Sequence, residues 1–327
     1  MPETDTAGPD SAGPTATPSP NSTLSRPSAG AGRFAPSPSG ELHLGNLRTA
    51  LLAWLFARSS GRRFLMRVED LDRVRAGAEE QQLADLGALG LDWDGPVHHQ
   101  SKRLELYDAA IDRLASAGLT YECFCTRREI QQAASAPHAP EGAYPGTCRN
   151  LTDAEREARQ ASGRPPAVRL RAEPGAEFTV ADTLTGPYTG LVDDLVLRRG
   201  DGTPAYNLAV VVDDADQGID QVVRGDDLLS SSPRQAYLAT LLGLPAPTYA
   251  HVPLALGPTG KRLAKRDGAV TLADLESAGR TADQALTDIA HSLGLAGSDE
   301  PVTPHVLLER FDPDDLPRGP WRVVPAP

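Results

Sequence analysis

The chain has 327 residues, which is enough for one large hydrophobic core or for two domains. It contains no apolar run of membrane-spanning length and no apolar signal segment, so the sequence predicts a cytoplasmic protein with no membrane partner. The net charge of −12 argues against an affinity that depends on a broad phosphate-binding surface, so any contact with RNA must be local.

Residues 1–32 differ in composition from the rest of the chain. They are rich in Pro, Ala, Gly, Ser and Thr, and Leu24 is their only large aliphatic side chain besides Met1. A segment of this kind buries too little apolar surface to nucleate a core. We expect residues 1–32 to be a disordered tail and the folded part to begin at Arg33.

The stretch RFAPSPSGELHLGNLRTALL, residues 33–52, is typical of a nucleotide site. Phe34 and Ala35 predict a buried strand, which the following prolines and glycine end. Asn46 predicts the cap of a helix whose leucines recur at helical spacing. The N-terminus of such a helix suits phosphate, His43 can donate to a phosphoryl oxygen, and Gly45 allows close approach of a ligand. The alternative is a strand, turn and helix with a surface histidine.

Lysine is rare in this chain. Among 32 basic residues only Lys102, Lys261 and Lys265 are lysines, and two of them lie in GKRLAKRDG. An ammonium group on a flexible stem is a mobile point charge that can follow a pyrophosphate during a reaction. The glycines nearby predict a loop that can move. The alternative is a solvated basic turn.

Together, HLGN and KRLAKR resemble the two signatures of class I aminoacyl-tRNA synthetases. The strings RFLMRVEDLDR, GLDWDGPVHHQSKRLELY and AYNLAVVVDDADQGIDQVVRGDDLL resemble the catalytic domain of glutamyl-tRNA synthetases over residues 33–272. The resemblance implies an α/β fold, namely a split Rossmann nucleotide-binding domain that an insertion interrupts. It also implies that the protein activates glutamate with ATP and Mg²⁺. Three positions depart from the pattern, because Asn46 replaces a histidine, Ala264 replaces a serine and Val210 replaces an asparagine of the substrate pocket.

The number of residues after Lys265 distinguishes between the families that share this catalytic domain. About 60 residues follow, fewer than the anticodon-binding domains of glutamyl-tRNA or glutaminyl-tRNA synthetases need. This is similar to the glutamyl-Q tRNA(Asp) synthetases, a family that attaches glutamate to queuosine in the anticodon of tRNA(Asp). The alternatives are a truncated glutamyl-tRNA synthetase that charges an acceptor end, a non-catalytic RNA-binding paralogue and a nucleotidylyltransferase acting on a small molecule. We expect a monomer.

The coarse pattern of elements supports a catalytic domain that an insertion interrupts. The predicted elements are a strand at 63–69, helices at 79–89 and 104–117, a short helix near 153–160, strands at AVRLR and LVLRR, strands at 208–212 and 221–224, a helix at 233–242 and a strand at HVPLAL. The predicted units are a tail at 1–32, the first catalytic half at 33–120, the insertion at 121–200, the second half with the lysine loop at 201–272 and a short C-terminal segment at 273–327.

The insertion carries all three cysteines. Cys123, Cys125 and Cys148 supply three soft ligands for a tetrahedral, structural Zn²⁺ site, and an odd number without signs of secretion argues against disulfides. The resemblance implies Tyr144 as the fourth ligand, and His138 is the chemical alternative. Buried reduced cysteines are the competing interpretation.

The insertion also carries candidates for RNA contact. Coding bias is the alternative explanation for the many arginines of this chain. The candidates are Arg127, Arg128, Arg149, Arg164 to Arg171, Arg198 and Arg199.

A selective glutamate site needs a carboxylate for the ammonium group and guanidinium groups for the carboxylates. The resemblance assigns Arg33 and Arg224 to the carboxylates of L-glutamate, with Arg224 for the side chain. It assigns Glu69 to the ammonium group, and Ser37 and Tyr206 as hydroxyl donors. Each could instead be an ordinary ion pair or a packed tyrosine. The resemblance further implies catalysis by His43 and Lys265, and ATP binding by His43, Gly45, Asn46 and Lys265.

Overall fold

The computed structural model describes residues 30–134, 144–257, 260, 263 and 270–323. The first half of the catalytic domain comprises β1 (Ala31–Phe34), α1 (Leu44–Ser59), β2 (Arg63–Val68), α2 (Ala78–Ala88) and β3 (His98–His99). β2 pairs in parallel with β1 on one side and with β3 on the other. The predicted strand at 63–69 and the helix at 79–89 are therefore confirmed to within one residue at each end.

The N-terminus of α1 differs from the prediction. His43, and not Asn46, is the N-cap, because its backbone is extended and its Nδ1 accepts the Asn46 amide at 3.2 Å. Asn46 is the third residue of the helix, and its side chain accepts the His43 amide at 3.2 Å. This reciprocal pair is a capping box, and it places the N-cap three residues before the predicted one.

The insertion follows α3 (Leu104–Ser116). It contains β4 (Thr120–Cys123), α4 (Arg127–Ala134), α5 (Asp153–Gln160), β5 (Ala167–Leu170), β6 (Glu177–Val180), β7 (Tyr188–Leu191) and β8 (Val196–Arg198). β4, β5 and β8 form an antiparallel sheet in that order, and β6 pairs with β7 as a hairpin. The predicted helix at 153–160 and the strands in AVRLR and LVLRR are confirmed.

Helix α6 (Tyr206–Asp216) replaces the strand predicted at 208–212, so that prediction was wrong. A short apolar run fits a buried strand and a buried helix equally well by pattern alone. This helix packs against α3, α7 and β8, so residues on several of its faces are buried. Because the helix is buried on these sides, its apolar residues do not recur at helical spacing in the sequence.

The second half of the catalytic domain continues with β9 (Gln221–Gly225), α7 (Ser232–Leu241), β10 (Thr248–Val252) and β11 (Ala255–Leu256). A 3-10 helix, Asp226–Ser231, connects β9 to α7. β9 and β10 are parallel, and Ala31 joins them to the first half through hydrogen bonds with Gly218 and Asp220. Ala31 is fully buried, so β1 begins two residues inside the predicted tail, and residues 1–29 of that tail lie outside the described part.

The chain then forms α8 (Leu272–Ser277), α9 (Ala282–Ser292), α10 (Pro304–Arg310) and β12 (Trp321–Arg322), which pairs with β11. Leu286, Ile289 and Leu307 are buried in the same cluster as the apolar side chains of α1. The predicted C-terminal segment therefore covers α1 and completes the catalytic core. Among the described helices, none is long and apolar enough to cross a membrane.

Candidate active site

A cavity of about 490 Å³ lies at the carboxyl ends of four parallel strands. Residues that follow β1, β2, β9 and β10 contribute to its wall, together with the first turn of α1. Ligands of open α/β sheets bind at this edge, where the connections run to opposite sides. Six of the predicted site residues line the cavity: Ser37, His43, Gly45, Asn46, Glu69 and Tyr206.

The first turn of α1 is already partly occupied by the protein itself. The Leu44 amide donates to the Val270 carbonyl at 2.9 Å, and the Asn46 amide donates to His43. A Cβ atom added at Gly45 would lie 2.9 Å from the Cβ of Ala255 and 3.0 Å from the His43 ring. Close packing of protein atoms therefore accounts for this glycine, which we had expected to make room for a ligand.

Lys261, Ala264 and Lys265 lie outside the described residues, so the predicted contact with pyrophosphate stays a prediction. Leu263, which lies between the two lysines in the sequence, donates its amide to Ala255 of the cavity wall at 3.4 Å. Val270, which follows them, accepts from the Leu44 amide at the start of α1.

The five residues predicted to bind glutamate fall into two layers. Ser37, Glu69 and Tyr206 line the cavity, whereas Arg33 and Arg224 are buried, with 5% and 6% of their surface exposed. Desolvation in the cavity raises the pKa of Tyr206 and the charge of Glu69 raises it further, while Arg224 and Arg33 act in the opposite direction. Glu69, Arg224 and Arg33 therefore all lie close enough to act on Tyr206.

A buried ionic network that the sequence analysis missed supports this layer. Arg67 has no exposed surface, and its Nη1 donates to Asp214 at 2.8 Å and to Gln217 at 2.9 Å. Asp214 also accepts from Arg33 Nε at 3.2 Å. Arg67 Nη2 lies 3.5 Å from Glu69. The available signal was a charged residue inside each of two apolar runs, RFLMRV and VVVDD, because a buried charge requires a partner.

The pKa values of two carboxyl groups in this network are shifted in opposite directions. Burial raises the pKa of Glu69 above its ordinary value, although Arg67 and Arg33 oppose the shift. Burial acts in the same sense on Asp214, but Arg33 and Arg67 outweigh it and hold its pKa below the ordinary value. Asp214 is thus the permanent anion of the pair, and Glu69 is the carboxyl group that faces the cavity.

Two further residues shape the wall without any signal in the sequence analysis. Gln82, which is buried, donates to the carbonyls of Gly40 at 2.5 Å and Ser37 at 3.1 Å, and so holds the turn after β1. Arg73 has a φ of +49°, a left-handed conformation that is uncommon for a residue with a side chain. It lies on the boundary of this cavity and of a second one.

The second cavity, of about 660 Å³, extends from the first towards the insertion. The two share Ser37, Glu69, Arg73 and Tyr206. Three of the arginines that we considered for RNA contact line it, namely Arg127, Arg169 and Arg199. Arg199 is paired there with Asp72 and Asp201, and two candidates outside this wall are also paired with carboxylates: Arg149 with Asp194 and Arg198 with Asp108.

The three cysteines form a cluster beside the second cavity. Their sulfur atoms lie within 4.8 Å of one another, with Cys125 and Cys148 3.4 Å apart. The Tyr144 hydroxyl is 3.3 Å from Cys123 and 3.6 Å from Cys125. Tetrahedral zinc with Zn–S bonds of about 2.3 Å would place sulfurs roughly 3.8 Å apart, so the spacing of the three sulfurs is compatible with this metal. His138 lies outside the described residues.

Arg169 connects this cluster with the second cavity. Arg169 is buried; its guanidinium carbon lies 3.6 Å from the centre of the Tyr144 ring, and its Nη1 donates to the Asp194 carbonyl at 2.7 Å. Burial raises the pKa of Cys125 to about 12. Burial acts likewise on Cys123, but hydrogen bonds with Tyr144 and Arg169 outweigh it and lower the pKa of that thiol. Arg169, a side chain of the wall of the second cavity, therefore favours the charged form of Cys123.

Comparison with known proteins agrees with this geometry. Residues 31–300 match the family described as tRNA synthetases class I (E and Q), catalytic domain. The crystal structure of a glutamate tRNA ligase from Elizabethkingia meningosepticum in complex with its amino acid superposes with a TM-score of 0.77 at 28% identity, over 90% of this chain and 67% of that one. The fold and the site define a class I aminoacyl-tRNA synthetase catalytic domain, and enzymes of this class are ligases that use ATP.

Sequence relatives narrow the assignment within this class. A glutamyl-Q tRNA(Asp) synthetase from Nocardia farcinica is 71% identical over 89% of this chain and 92% of its own length. One from Symbiobacterium thermophilum is 50% identical over 89% of this chain and 95% of its own length. The chain belongs to the glutamyl-Q tRNA(Asp) synthetase family.

Proposed function

We propose that this protein activates L-glutamate with ATP and transfers the glutamyl group to queuosine in the anticodon of tRNA(Asp). The observation that carries the proposal is the junction of the two cavities at Glu69 and Tyr206. One cavity meets the helix end suited to ATP and the other meets the arginines of the insertion, so both reactions can use one bound glutamate. The names of the relatives at 71% and 50% identity support the choice of RNA.

Recognition of glutamate uses the layered pocket. The Glu69 carboxylate binds the α-ammonium group, and the Ser37 and Tyr206 hydroxyls donate to the substrate. Arg33 and Arg224 attract its carboxylates, with Arg224 matched to the side chain. A carboxylate gains most from guanidinium groups that are already desolvated and held in place, and both arginines are buried.

Adenylation requires little acid–base chemistry. An oxygen of the glutamate α-carboxylate attacks the α-phosphorus of ATP, and the bond to the departing pyrophosphate breaks. Mg²⁺ enters with ATP as part of the substrate. His43 and Lys265 stabilise the charge that grows on the phosphoryl oxygens, while Gly45 and Asn46 form the wall beside it. Positioning of the two substrates supplies most of the rate enhancement.

Transfer uses the second cavity. A hydroxyl of the cyclopentenediol of queuosine attacks the activated carbonyl, its proton is released, and AMP leaves with the electrons of the broken bond. We assign contact with the phosphates and sugars of this nucleotide to Arg127, Arg169 and Arg199, which line this cavity. With a net charge of −12, such a local contact suits a monomer in the cytoplasm that binds one stem-loop.

The cysteine cluster completes the proposal as a structural zinc site. Cys123, Cys125, Cys148 and Tyr144 would hold the ion, and four protein ligands leave no open position for chemistry. The metal would therefore stabilise the insertion, including the wall of the second cavity to which Cys125 belongs.

The position of the transferred glutamate tests the function. Radiolabelled glutamate, ATP and the enzyme are incubated with queuosine-containing tRNA(Asp), and the tRNA is then digested with nuclease. We expect label on the anticodon fragment and none on matched tRNA(Asp) that lacks queuosine. Label on the terminal adenosine, or equal transfer to both tRNAs, would instead identify a truncated glutamyl-tRNA synthetase.

A further inference from the structure

Arg224 is held from behind by two side chains of the catalytic domain. Its Nε donates to Nε2 of His251 at 3.1 Å, and its Nη2 donates to the Ser232 hydroxyl at 2.7 Å. Ser232 and His251 are themselves 3.1 Å apart. Together they occupy one edge of the planar guanidinium group. Among the described residues, no hydrogen bond is made by Nη1 of Arg224.

The protonation state of His251 follows from its neighbours. Nδ1 lies 2.6 Å from an oxygen of Asp182, which as a carboxylate only accepts, so Nδ1 carries the proton. Arg224 Nε only donates, so Nε2 must be an unprotonated acceptor. Burial lowers the pKa of His251, Asp182 opposes this shift, and the net direction is downward, in agreement with a neutral ring.

Asp182 belongs to the insertion and not to the sheet on which Arg224 lies. It follows β6, and its carboxylate also accepts the amides of Leu184 at 2.9 Å and Thr185 at 2.8 Å. Burial acts to raise the pKa of Asp182, but the hydrogen bond from His251 and these amides outweigh it, so its pKa is lowered. Backbone hydrogen bonds between Tyr249 and residues 181 and 183 fix this turn against β10.

The order Ser232, His251, Asp182 has the spacing of a hydrolase triad, but its environment excludes that role. Ser232 has no exposed surface and His251 has 1%, so no substrate carbonyl can reach the hydroxyl. The hydroxyl also accepts a hydrogen bond from Arg224. The arrangement is therefore directed at the guanidinium group.

We propose that Asp182, His251 and Ser232 are positioning residues that set the preference of this enzyme for glutamate. Asp182 fixes the tautomer of His251, and His251 with Ser232 fixes the rotation of Arg224, so that the Nη1 side of the guanidinium group remains for a ligand carboxylate. This inference rests on the proposed function, because Arg224 must contact glutamate. It gives the insertion a second task, which is to stabilise the amino-acid pocket from behind.

The test measures glutamate-dependent pyrophosphate exchange without RNA in the full chain. In His251→Leu the acceptor for Arg224 is lost, so we expect KM for glutamate to rise about tenfold or more while KM for ATP stays within about twofold. His251→Gln places an amide oxygen near the position of Nε2 and should recover part of the loss. Asp182→Asn should act like His251→Leu, because a neutral amide no longer dictates the tautomer.

Two further variants separate positioning from general loss of stability. Tyr107→Phe removes a buried hydroxyl that, within the described part of the chain, bonds Asp213 alone, and it should leave both KM values unchanged. Ser232→Ala keeps the packing and serves if His251→Leu does not fold; it should raise KM for glutamate and weaken discrimination against glutamine.

The outcomes distinguish this inference from the function on which it rests. If the wild-type enzyme shows no exchange with glutamate, the proposed function fails. If the wild type is active but KM for glutamate is unchanged in folded His251→Leu and Ser232→Ala, the positioning inference is overturned. Parallel increases in KM for glutamate and for ATP would overturn it as well, because they would indicate a structural role only.

Discussion

Glu69 is the side chain through which pH acts most directly on the site. Burial raises its pKa above the ordinary value of 4.5, and its carboxylate faces the cavity from the end of β2. Folding therefore favours the protonated form. The stability that this preference contributes is present at acidic pH and is lost as the pH rises through the raised pKa. At neutral pH the protein thus carries an ionised group that serves glutamate binding at some cost to stability.

We predict that Glu69→Gln separates these two effects. At neutral pH kcat/KM for glutamate should fall by about tenfold or more, because the ammonium group loses its anion, while resistance to urea should be unchanged or higher. In the wild type, kcat/KM should decline on the acid side with a midpoint above pH 4.5, and the variant should lack this decline. Full activity in folded Glu69→Gln would show that another group binds the ammonium.

The residues of the site differ in how far sequence could reveal them. Glu69, Tyr206 and the three cysteines carry chemistry that a pattern can suggest, and the structure brings Glu69, Tyr206 and Cys125 to the cavity walls. Gln82 and Asp182 act through hydrogen bonds to segments 40 or more residues away in the chain. Such partners depend on tertiary contact and leave no local signature. The effect of Gly45 on packing likewise depends on Ala255, which belongs to a distant strand.

At the scale of elements, the start of α1 combines a structural and a chemical task in one residue. His43 is the N-cap and also lines the cavity. Loss of a capping side chain costs about 1 kcal/mol, whereas loss of a donor to developing charge costs about a hundredfold in rate. One substitution therefore changes two independent measurements.

Two substitutions at position 43 should resolve these tasks. His43→Ala should lower both the adenylation rate, by about a hundredfold, and the midpoint of urea unfolding. His43→Asn keeps a good capping group, so we expect near wild-type stability with the same loss of rate. Pyrophosphate exchange and urea unfolding provide the two measurements. If His43→Asn exchanges at the wild-type rate, the imidazole has no role beyond the cap.

Lys265→Ala should reduce the rate of adenylation by a similar factor.

Prediction of elements succeeded where one face of a segment is solvated. Helices α2, α3 and α5 show the expected polar face, and their predicted bounds agree with the structure within about one residue. Helix α6 failed because other elements cover most of its surface, which removed the periodic signal. No helices or strands were predicted in the C-terminal segment, whose apolar residues complete the core around α1 through contacts with residues far away in the chain.

At the scale of the whole molecule, the two cavities divide the reaction between the catalytic halves and the insertion. Cys125 lines only the cavity on the insertion side, whereas the wall of the first cavity contains no cysteine among its described residues. Damage to the cysteine cluster should therefore reach the RNA step before it reaches the adenylation step.

Cys148→Ser tests this division of tasks. We expect loss of about one equivalent of zinc and a larger decrease in transfer to tRNA than in pyrophosphate exchange. Thr179→Val removes an exposed hydrogen bond to Thr189 elsewhere in the insertion and should leave both activities intact. Elemental analysis that finds no zinc in carefully purified wild-type protein would reject the metal site, and an equal loss of both activities would reject the division.

The packing of α9 and α10 over α1 has a consequence for synthesis on the ribosome. Trp54 of α1 is 1% exposed and its ring meets His305 edge-on, with ring centres 5.9 Å apart. At about 5–20 residues per second, the ribosome needs roughly 10–50 s to make the residues between them. During that interval the apolar residues of α1 that pack against α9 and α10 in the folded protein have no partner there. The nascent chain must therefore avoid aggregation, or meet a chaperone, until its last helices emerge.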